Sequence, residues 1–211
     1  MQRIGILGGT FNPVHIGHLL MAQTVREQCG LNRVLLMPCH TPPHKSCDVL
    51  APAADRLAML QQVVAADPTL EICTLELERG GVSYAVDTLT AFRTRYPECE
   101  PYFIIGMDSL RELHLWHRVA DLLQLCTFVP VERPGVDRPL TPDELQLPHP
   151  WPEHMLKHVI RGRLCDVSSS EIRRRVAENL TIRYLVPPAV EQYILRQGLY
   201  AGVAAAQGDH H

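Results

Sequence analysis

No stretch of the 211 residues approaches the run of about 18 apolar residues that a membrane-spanning helix needs. The first residues also lack the charged-then-apolar pattern of a secretory leader. A soluble, cytoplasmic protein with no membrane partner is the expectation. Basic blocks are missing too: the longest Lys/Arg run is Arg173-Arg174-Arg175, the formal charge is -3 and the pI is about 6.4. The electrostatic footprint of a nucleic-acid binder is therefore absent, whereas a small phosphorylated ligand, which needs only a few well-placed cations, is not excluded. The seven cysteines (Cys29, Cys39, Cys47, Cys73, Cys99, Cys126, Cys165) are odd in number and never closer than eight positions. Neither a zinc knuckle nor a disulfide framework is legible, so reduced thiols are expected.

What is present is an ordinary globular composition, 46% hydrophobic and 20% charged, without internal repeats or low-complexity tracts. Short apolar runs alternate with stretches of helical spacing. Residues 3–7 read as a strand, the segment through Leu19, Leu20, Ala22, Val25 and Cys29 as a helix stopped by Gly30, 33–38 as a strand and 54–66 as a helix. Residues 70–77 read as a strand, 85–96 as a helix, 101–106 as a strand, 120–125 as a helix, 127–133 and 163–167 as strands, with closing helices from about Glu171 and over 189–197. The prolines between Arg133 and Glu153 predict a long irregular excursion. Such alternation predicts an α/β, doubly wound, mostly parallel sheet covered on both faces. Residues 1–200 are expected to form one domain, with 201–211 a flexible tail.

Chemistry concentrates at two places. Gly8-Gly9-Thr10 sits where the first strand ends, and glycines there let backbone N–H groups approach a phosphate. His15-Ile16-Gly17-His18 follows; residues three apart share a helix face, and the first turn of a helix carries free N–H groups and a positive dipole end. Gly17 removes a side chain that would crowd the neighbouring turn. In "DVSSSEIRRR", residues 166–175, Ser168 and Glu171 have the spacing of a capping box. A helix start there, with Ser169, Ser170 and Arg173, makes a second anion site.

"HIGH" marks class I aminoacyl-tRNA synthetases, but 211 residues leave no room for a tRNA-binding region, and "SSSEIR" lacks the lysine-rich loop that accompanies it. "GGTFNPVHIGHL" with "SSSEIR" instead resembles the paired phosphate motifs of the Rossmann-like nucleotidyltransferase superfamily that includes the bacterial nicotinate-nucleotide adenylyltransferases. "PPHK", "GGVSYAVDTL", "IIGMDSLRELHLWHR" and "ERPG" fit that family in the same order, up to Tyr200. The resemblance implies transfer of AMP from ATP to nicotinate mononucleotide, with Mg²⁺ carried on the ATP phosphates and no metal ligands of the protein's own. It implies that Gly8, Gly9, Thr10, Phe11, His15, His18, Ser168, Ser169, Ser170 and Arg173 hold ATP. Thr10, His44, Lys45, Ser83, Tyr84, Ala85, Asp108, Trp116 and Arg133 would surround the mononucleotide, and His15, His18, Lys45 and Arg173 would serve the chemistry. Two positions depart from the family pattern: Asn12 stands where Asp is common, and Ala85 where Thr is common. Read without the resemblance, Lys45 is a loop lysine in a Pro-rich segment and Trp116 a core residue. His114 and His117 are assigned to the surface, Arg56 to packing. The rivals are a transferase with another phosphorylated acceptor, such as nicotinamide mononucleotide or phosphopantetheine, and a nucleotide-binding sensor without catalysis. A homo-oligomer is left open.

Overall fold

The computed structural model describes residues 1–43, 50–135 and 138–202. His44, Lys45, Cys47 and the tail from residue 203 lie outside the described residues. Six strands, β1 (Gln2–Gly9), β2 (Arg33–Pro38), β3 (Leu70–Ile72), β4 (Cys99–Gly106), β5 (Thr127–Glu132) and β6 (Ile160–Arg161), form one sheet in the order β3-β2-β1-β4-β5-β6. Every pairing is parallel. Parallel neighbours demand crossovers, and helices supply them: α1 (Ile16–Cys29) between β1 and β2, α2 (Ala53–Val64) between β2 and β3. Short α3 (Leu75–Arg79) and α4 (Ala85–Arg95) lead into β4. After β4 come α5 (Met107–Arg111), a 3-10 turn at Leu113–Leu115 and α6 (Val119–Leu122); β5 is followed by α7 (Trp151–Lys157), then β6, α8 (Ser169–Ala177) and α9 (Pro188–Gln197).

Successive side chains of β1 point to opposite faces, so one strand serves two cores. Ile4 and Ile6 pack with Leu89, Phe92 and Leu110 on the face of α4 and α5, while Leu7 packs with Val25, Leu60 and Ile194 on the face of α1, α2 and α9. Helix α1 ends as the sequence predicts: Gly30 takes the left-handed conformation, φ 60°, and its N–H caps the helix on the Arg26 carbonyl.

Three expectations need correction. The strand read over 70–77 stops at Ile72, because the Cys73 N–H makes the last sheet bond, to Leu36, and the chain turns into α3, which carries Glu76 inward to the Thr88 hydroxyl. The strand read over 163–167 lies earlier, as β6. Its next residue, Gly162, donates to the Glu132 carbonyl at 2.9 Å and packs so closely that a Cβ would fall 2.7 Å from that oxygen; beyond it the chain leaves the sheet. The excursion 133–153 is not wholly irregular, since a 3-10 turn spans Pro142–Leu145 and α7 begins at Trp151 with Pro150 at its N-cap and Pro152 in its first turn. Proline in a first turn lacks an N–H that has no helical acceptor anyway, so it starts helices as readily as it breaks them.

Candidate active site

The strand order reverses between β1 and β4, and in an open parallel sheet the crevice beyond the carboxyl ends of such a pair is where ligands bind. Both sequence motifs meet there. β1 delivers Gly9 and Thr10 to the crevice, and the chain then turns sharply through Phe11 (φ 47°) and a cis Asn12-Pro13 bond before α1. Phe11 is fully buried and packs against the His18 ring at 5.0 Å between centroids, so its side chain supports the site from behind.

His15 is the N-cap of α1, and His18 lies in the first turn. The two rings lie 3.7 Å apart, tilted by 34°. His18 Nδ1 accepts the His15 backbone N–H at 3.2 Å, which leaves Nε2 to carry the ring proton. His15 is only 8% exposed, and burial pushes its pKa down to about 4. Near neutrality His15 is therefore a neutral hydrogen-bond donor, not a cation. Gly17 has a sharper role than clearing a neighbouring turn. A Cβ at that position would stand 3.0 Å from His15 Nδ1 and 3.1 Å from its Cε1, so it is the His15 ring itself that needs the space.

The second motif is stitched to the first across more than 150 residues. Ser168 caps α8, its hydroxyl accepting the Glu171 N–H at 3.1 Å. Ser169 donates its hydroxyl to the Pro13 carbonyl at 2.9 Å, and Arg173 donates to the Asn12 carbonyl at 2.8 Å and to the Ser170 hydroxyl at 3.2 Å. Burial presses the Arg173 pKa downward, but a guanidinium keeps its proton. The Asn12 departure is intelligible here. Its Oδ1 accepts the Ala51 N–H at 3.1 Å and the Tyr200 hydroxyl at 2.9 Å, both donors, so an amide oxygen serves without bringing a buried charge.

Two cavities flank this core. One, of about 400 Å³, runs from Gly8, Gly9, Thr10 and His18 to Tyr84, Ala85 and Trp116. The other, of about 230 Å³, is lined among others by His15, His18, Asp108, Arg133 and Arg163. His18, Met21 and Gly106 belong to both walls, so the cavities adjoin at His18. The first combines apolar walls with a few polar groups, as pockets for flat aromatic ligands do. Trp116 meets Phe103 with the two rings perpendicular, 6.3 Å between centroids, and lines the cavity.

The acceptor residues implied by the resemblance are divided between the two cavities. Ser83, Tyr84, Ala85 and Trp116 line the larger one with Thr10, while Asp108 and Arg133 stand with His15 on the smaller one and pair with each other at 3.4 Å. Ser83 is engaged within the protein: its N–H donates to the Thr41 carbonyl at 2.9 Å and its hydroxyl accepts the His40 N–H at 3.0 Å. The Tyr84 N–H is turned to the Val82 carbonyl at 3.2 Å. The N–H groups of Ala85, Val86 and Asp87, in the first turn of α4, precede that helix's first internal bond, from Thr88 to Tyr84.

Sequence reasoning missed several wall residues, Arg163 of the smaller cavity among them. His117 is exposed, as assigned, yet it lines the larger cavity and stacks on Tyr84 at 4.4 Å; its place beside Trp116 was the available signal. Glu76 is buried in the same wall, its carboxylate accepting the Thr88 hydroxyl at 2.7 Å, and burial raises its pKa. Reading 70–77 as a strand hid it. Among the described residues no group of three or more His, Cys, Asp or Glu is arranged to hold a metal ion, and no helix is long and apolar enough to cross a membrane.

The cytidylyltransferase-like family model matches residues 6–175. A protein of Pelobacter propionicus named "Probable nicotinate-nucleotide adenylyltransferase" is 44% identical over 215 aligned positions, covering 95% of this chain and 99% of that one. A protein of Geobacillus kaustophilus with the same name is 44% identical, covering 95% and 87%. In fold, the chain is similar to Plasmodium falciparum nicotinic acid mononucleotide adenylyltransferase complexed with NaAD, with a TM-score of 0.73 at 18% identity over 95% of this chain and 98% of that one. Likeness at this level over essentially the whole length, with the strand order and the paired motifs found above, means that the chain belongs to the nicotinate-nucleotide adenylyltransferase family within the cytidylyltransferase-like proteins.

Proposed function

We propose that the protein transfers AMP from ATP to nicotinate mononucleotide, giving deamido-NAD and pyrophosphate. The observation that carries this reading is the pair of cavities adjoining at His18, one largely apolar, the other lined by His15 and His18 at the start of α1 and by Arg133 and Arg163. A pyridine ring suits the first, between Trp116 and the Tyr84–His117 pair, and ATP suits the second.

An oxygen of the acceptor's 5'-phosphate is already anionic, so the reaction needs neither a protein nucleophile nor a base to create one. That oxygen attacks the α-phosphorus of ATP; a new P–O bond forms, the bond to the bridging oxygen breaks, and pyrophosphate leaves with the electron pair. The protein's part is to align the two phosphates and to meet the charge that grows on the leaving oxygen. His18 offers its Nε2–H at the shared wall, and neutral His15 adds a second donor beside it. Arg173 holds the two motifs together and brings a fixed positive charge to the start of α8. Lys45 is proposed as a further cation on the polyphosphate. Of the two carboxylates on the wall of the ATP cavity, Asp108 and Glu132, Asp108 is paired with Arg133 and Arg111. The donor set near the phosphates is thus cationic and does not fit a resident metal, so a magnesium ion would be carried by the ATP phosphates and water.

The test is to incubate the protein with Mg-ATP and a panel of phosphorylated acceptors and to measure pyrophosphate release. Release with nicotinate mononucleotide is expected. Release only with phosphopantetheine or another alcohol phosphate would reassign the acceptor, and none with any acceptor would leave a nucleotide-binding protein without this activity.

A further inference from the structure

We propose that Arg56 is a positioning residue for adenylyl transfer, which holds the phosphate turn and the acceptor wall at a fixed separation. It lies in the first turns of α2, is 1% exposed and is the largest fully buried side chain among the described residues. Its guanidinium donates to four backbone carbonyls on three separate segments: Nε to Ala51 at 3.1 Å, one terminal nitrogen to Thr10 at 2.9 Å and Cys39 at 2.8 Å, the other to His40 at 3.3 Å. No carboxylate is paired with it among the described residues; its neighbour Asp55 instead accepts the Tyr193 hydroxyl.

A buried cation without a counter-ion is costly, and a core position asking only for packing volume is better filled by methionine or leucine. Arginine is suited to one task that those cannot do, which is to satisfy several acceptors at fixed angles in one plane. The acceptors identify that task. Thr10 follows the Gly8-Gly9 turn, and both it and Cys39 line the larger cavity. The next link is His40, whose carbonyl is held by Arg56 and whose N–H donates to the Ser83 hydroxyl, while Thr41 accepts the Ser83 N–H. Ser83 opens the turn into α4, so the chain of bonds runs from the phosphate turn through Arg56 and His40 to the acceptor wall. The four carbonyl dipoles also fix the buried charge in place beside the Thr10 carbonyl. A displacement of one ångström between two reacting groups is enough to cost orders of magnitude in rate, which makes this tie a determinant of kcat.

The proposal rests on the adenylyl-transfer reading, and the two are separable because that reading is tested on the wild type and this one on the ratio of variant to wild type with whichever acceptor the wild type uses. Arg56→Lys keeps the charge and the long stem but loses the fork; Arg56→Met loses both. Each is assayed at 10 °C, with the folded fraction measured by circular dichroism at that temperature and amide hydrogen exchange followed at Cys39, whose N–H donates to the Gly9 carbonyl at 2.9 Å. The expected result is a fall in kcat of ten-fold or more per folded molecule in both variants, less severe for lysine, with the Kd for ATP changed less than three-fold and faster exchange at Cys39 than in α9. A kcat within two-fold of wild type per folded molecule, or a loss that merely follows the unfolded fraction, would overturn the proposal. If Arg56→Met does not fold, the lysine variant decides alone by the same criteria.

Discussion

The imidazole rings of His15 and His18 lie 3.7 Å apart, and each is fixed by a different force: His15 by burial, His18 by the backbone N–H that its Nδ1 accepts. Two imidazolium ions at that distance would repel each other strongly. The geometry therefore suits a neutral His15 beside a His18 whose Nδ1 is already taken, and it divides their labour. His18 stands on the wall between the cavities, and His15 lines only the smaller one.

From this division, His18→Ala is expected to lower kcat by two orders of magnitude or more, with a much smaller change in the KM for ATP. A donor aimed at charge that develops during the reaction matters more in the transition state than in the ground state. Steady-state kinetics with both substrates varied provide the check, and an unchanged kcat would remove His18 from the mechanism.

His15 imposes a pH dependence on stability. Its folded pKa of about 4 lies below the ordinary 6.5, so between those values the unfolded chain binds a proton that the folded chain refuses. The stabilising contribution is complete above pH 6.5 and is lost as the pH falls toward 4, by on the order of 3 kcal/mol in total. Urea denaturation across that range should give a steeper fall for wild type than for His15→Gln. Parallel curves would show that the imidazole titrates normally.

Gly17→Ala tests whether the His15 ring has room to yield. Alanine normally favours a helix over glycine by about 0.5–1 kcal/mol, but here the added Cβ stands 3.0 Å from a ring already stacked on His18. Neither neighbour can give way without moving the donor pair. The variant is expected to be no more stable than wild type and to lose roughly ten-fold or more in kcat, on the scale of a small misplacement of a catalytic group. A variant both more stable and fully active would show that the ring moves freely.

How much of this was legible beforehand follows the range of the forces involved. Periodicity and glycine placement are local, so β1, β2, β4, α1, α4 and the capping serine of α8 were readable, and the paired motifs identified the crevice. The division of Asp108 and Arg133 from Trp116 was not readable, because which cavity a residue lines depends on how α5 leaves β4. Arg56 looked like a packing residue because its partners are backbone carbonyls 5 to 46 positions away, which leave no trace in residue identity. Ser83 lines the larger cavity as the resemblance implies, but that its N–H and hydroxyl are engaged with β2's exit depends on a distant loop and leaves no mark in the sequence. Glu76 was lost to a false period of two in an edge segment where the sheet had already ended.

The last prediction concerns the choice between nicotinate and nicotinamide mononucleotide, for which acid preference is expected. Stacking on Trp116 cannot make that choice, since both rings present the same face. Selection must come from the ring substituent, and with the Ser83 and Tyr84 N–H groups turned to protein carbonyls the candidate donors are those of Ala85, which lines the larger cavity, and of Val86 and Asp87 after it at the start of α4. A carboxylate accepts at both oxygens, while an amide sets its NH₂ against a donor, a mismatch of about 1–3 kcal/mol or roughly ten- to a hundred-fold in kcat/KM. Ala85→Pro isolates the effect. Ala85 is the first residue of α4, where proline is tolerated, and Tyr84 has φ -79° and ψ 129°, the extended conformation that a following proline requires. The substitution deletes one N–H, and because Ala85 has no side-chain hydroxyl, no second polar contact is removed with it. We expect the acid-to-amide ratio of kcat/KM to fall about ten-fold in the variant, with the value for the amide little changed. An equal loss for both nucleotides would mean that the proline has distorted the wall, and Val86→Ala and Asp87→Asn, which keep their N–H groups, should then retain the wild-type ratio. A wild-type ratio of one would sink the donor wall as the source of specificity while leaving adenylyl transfer itself intact.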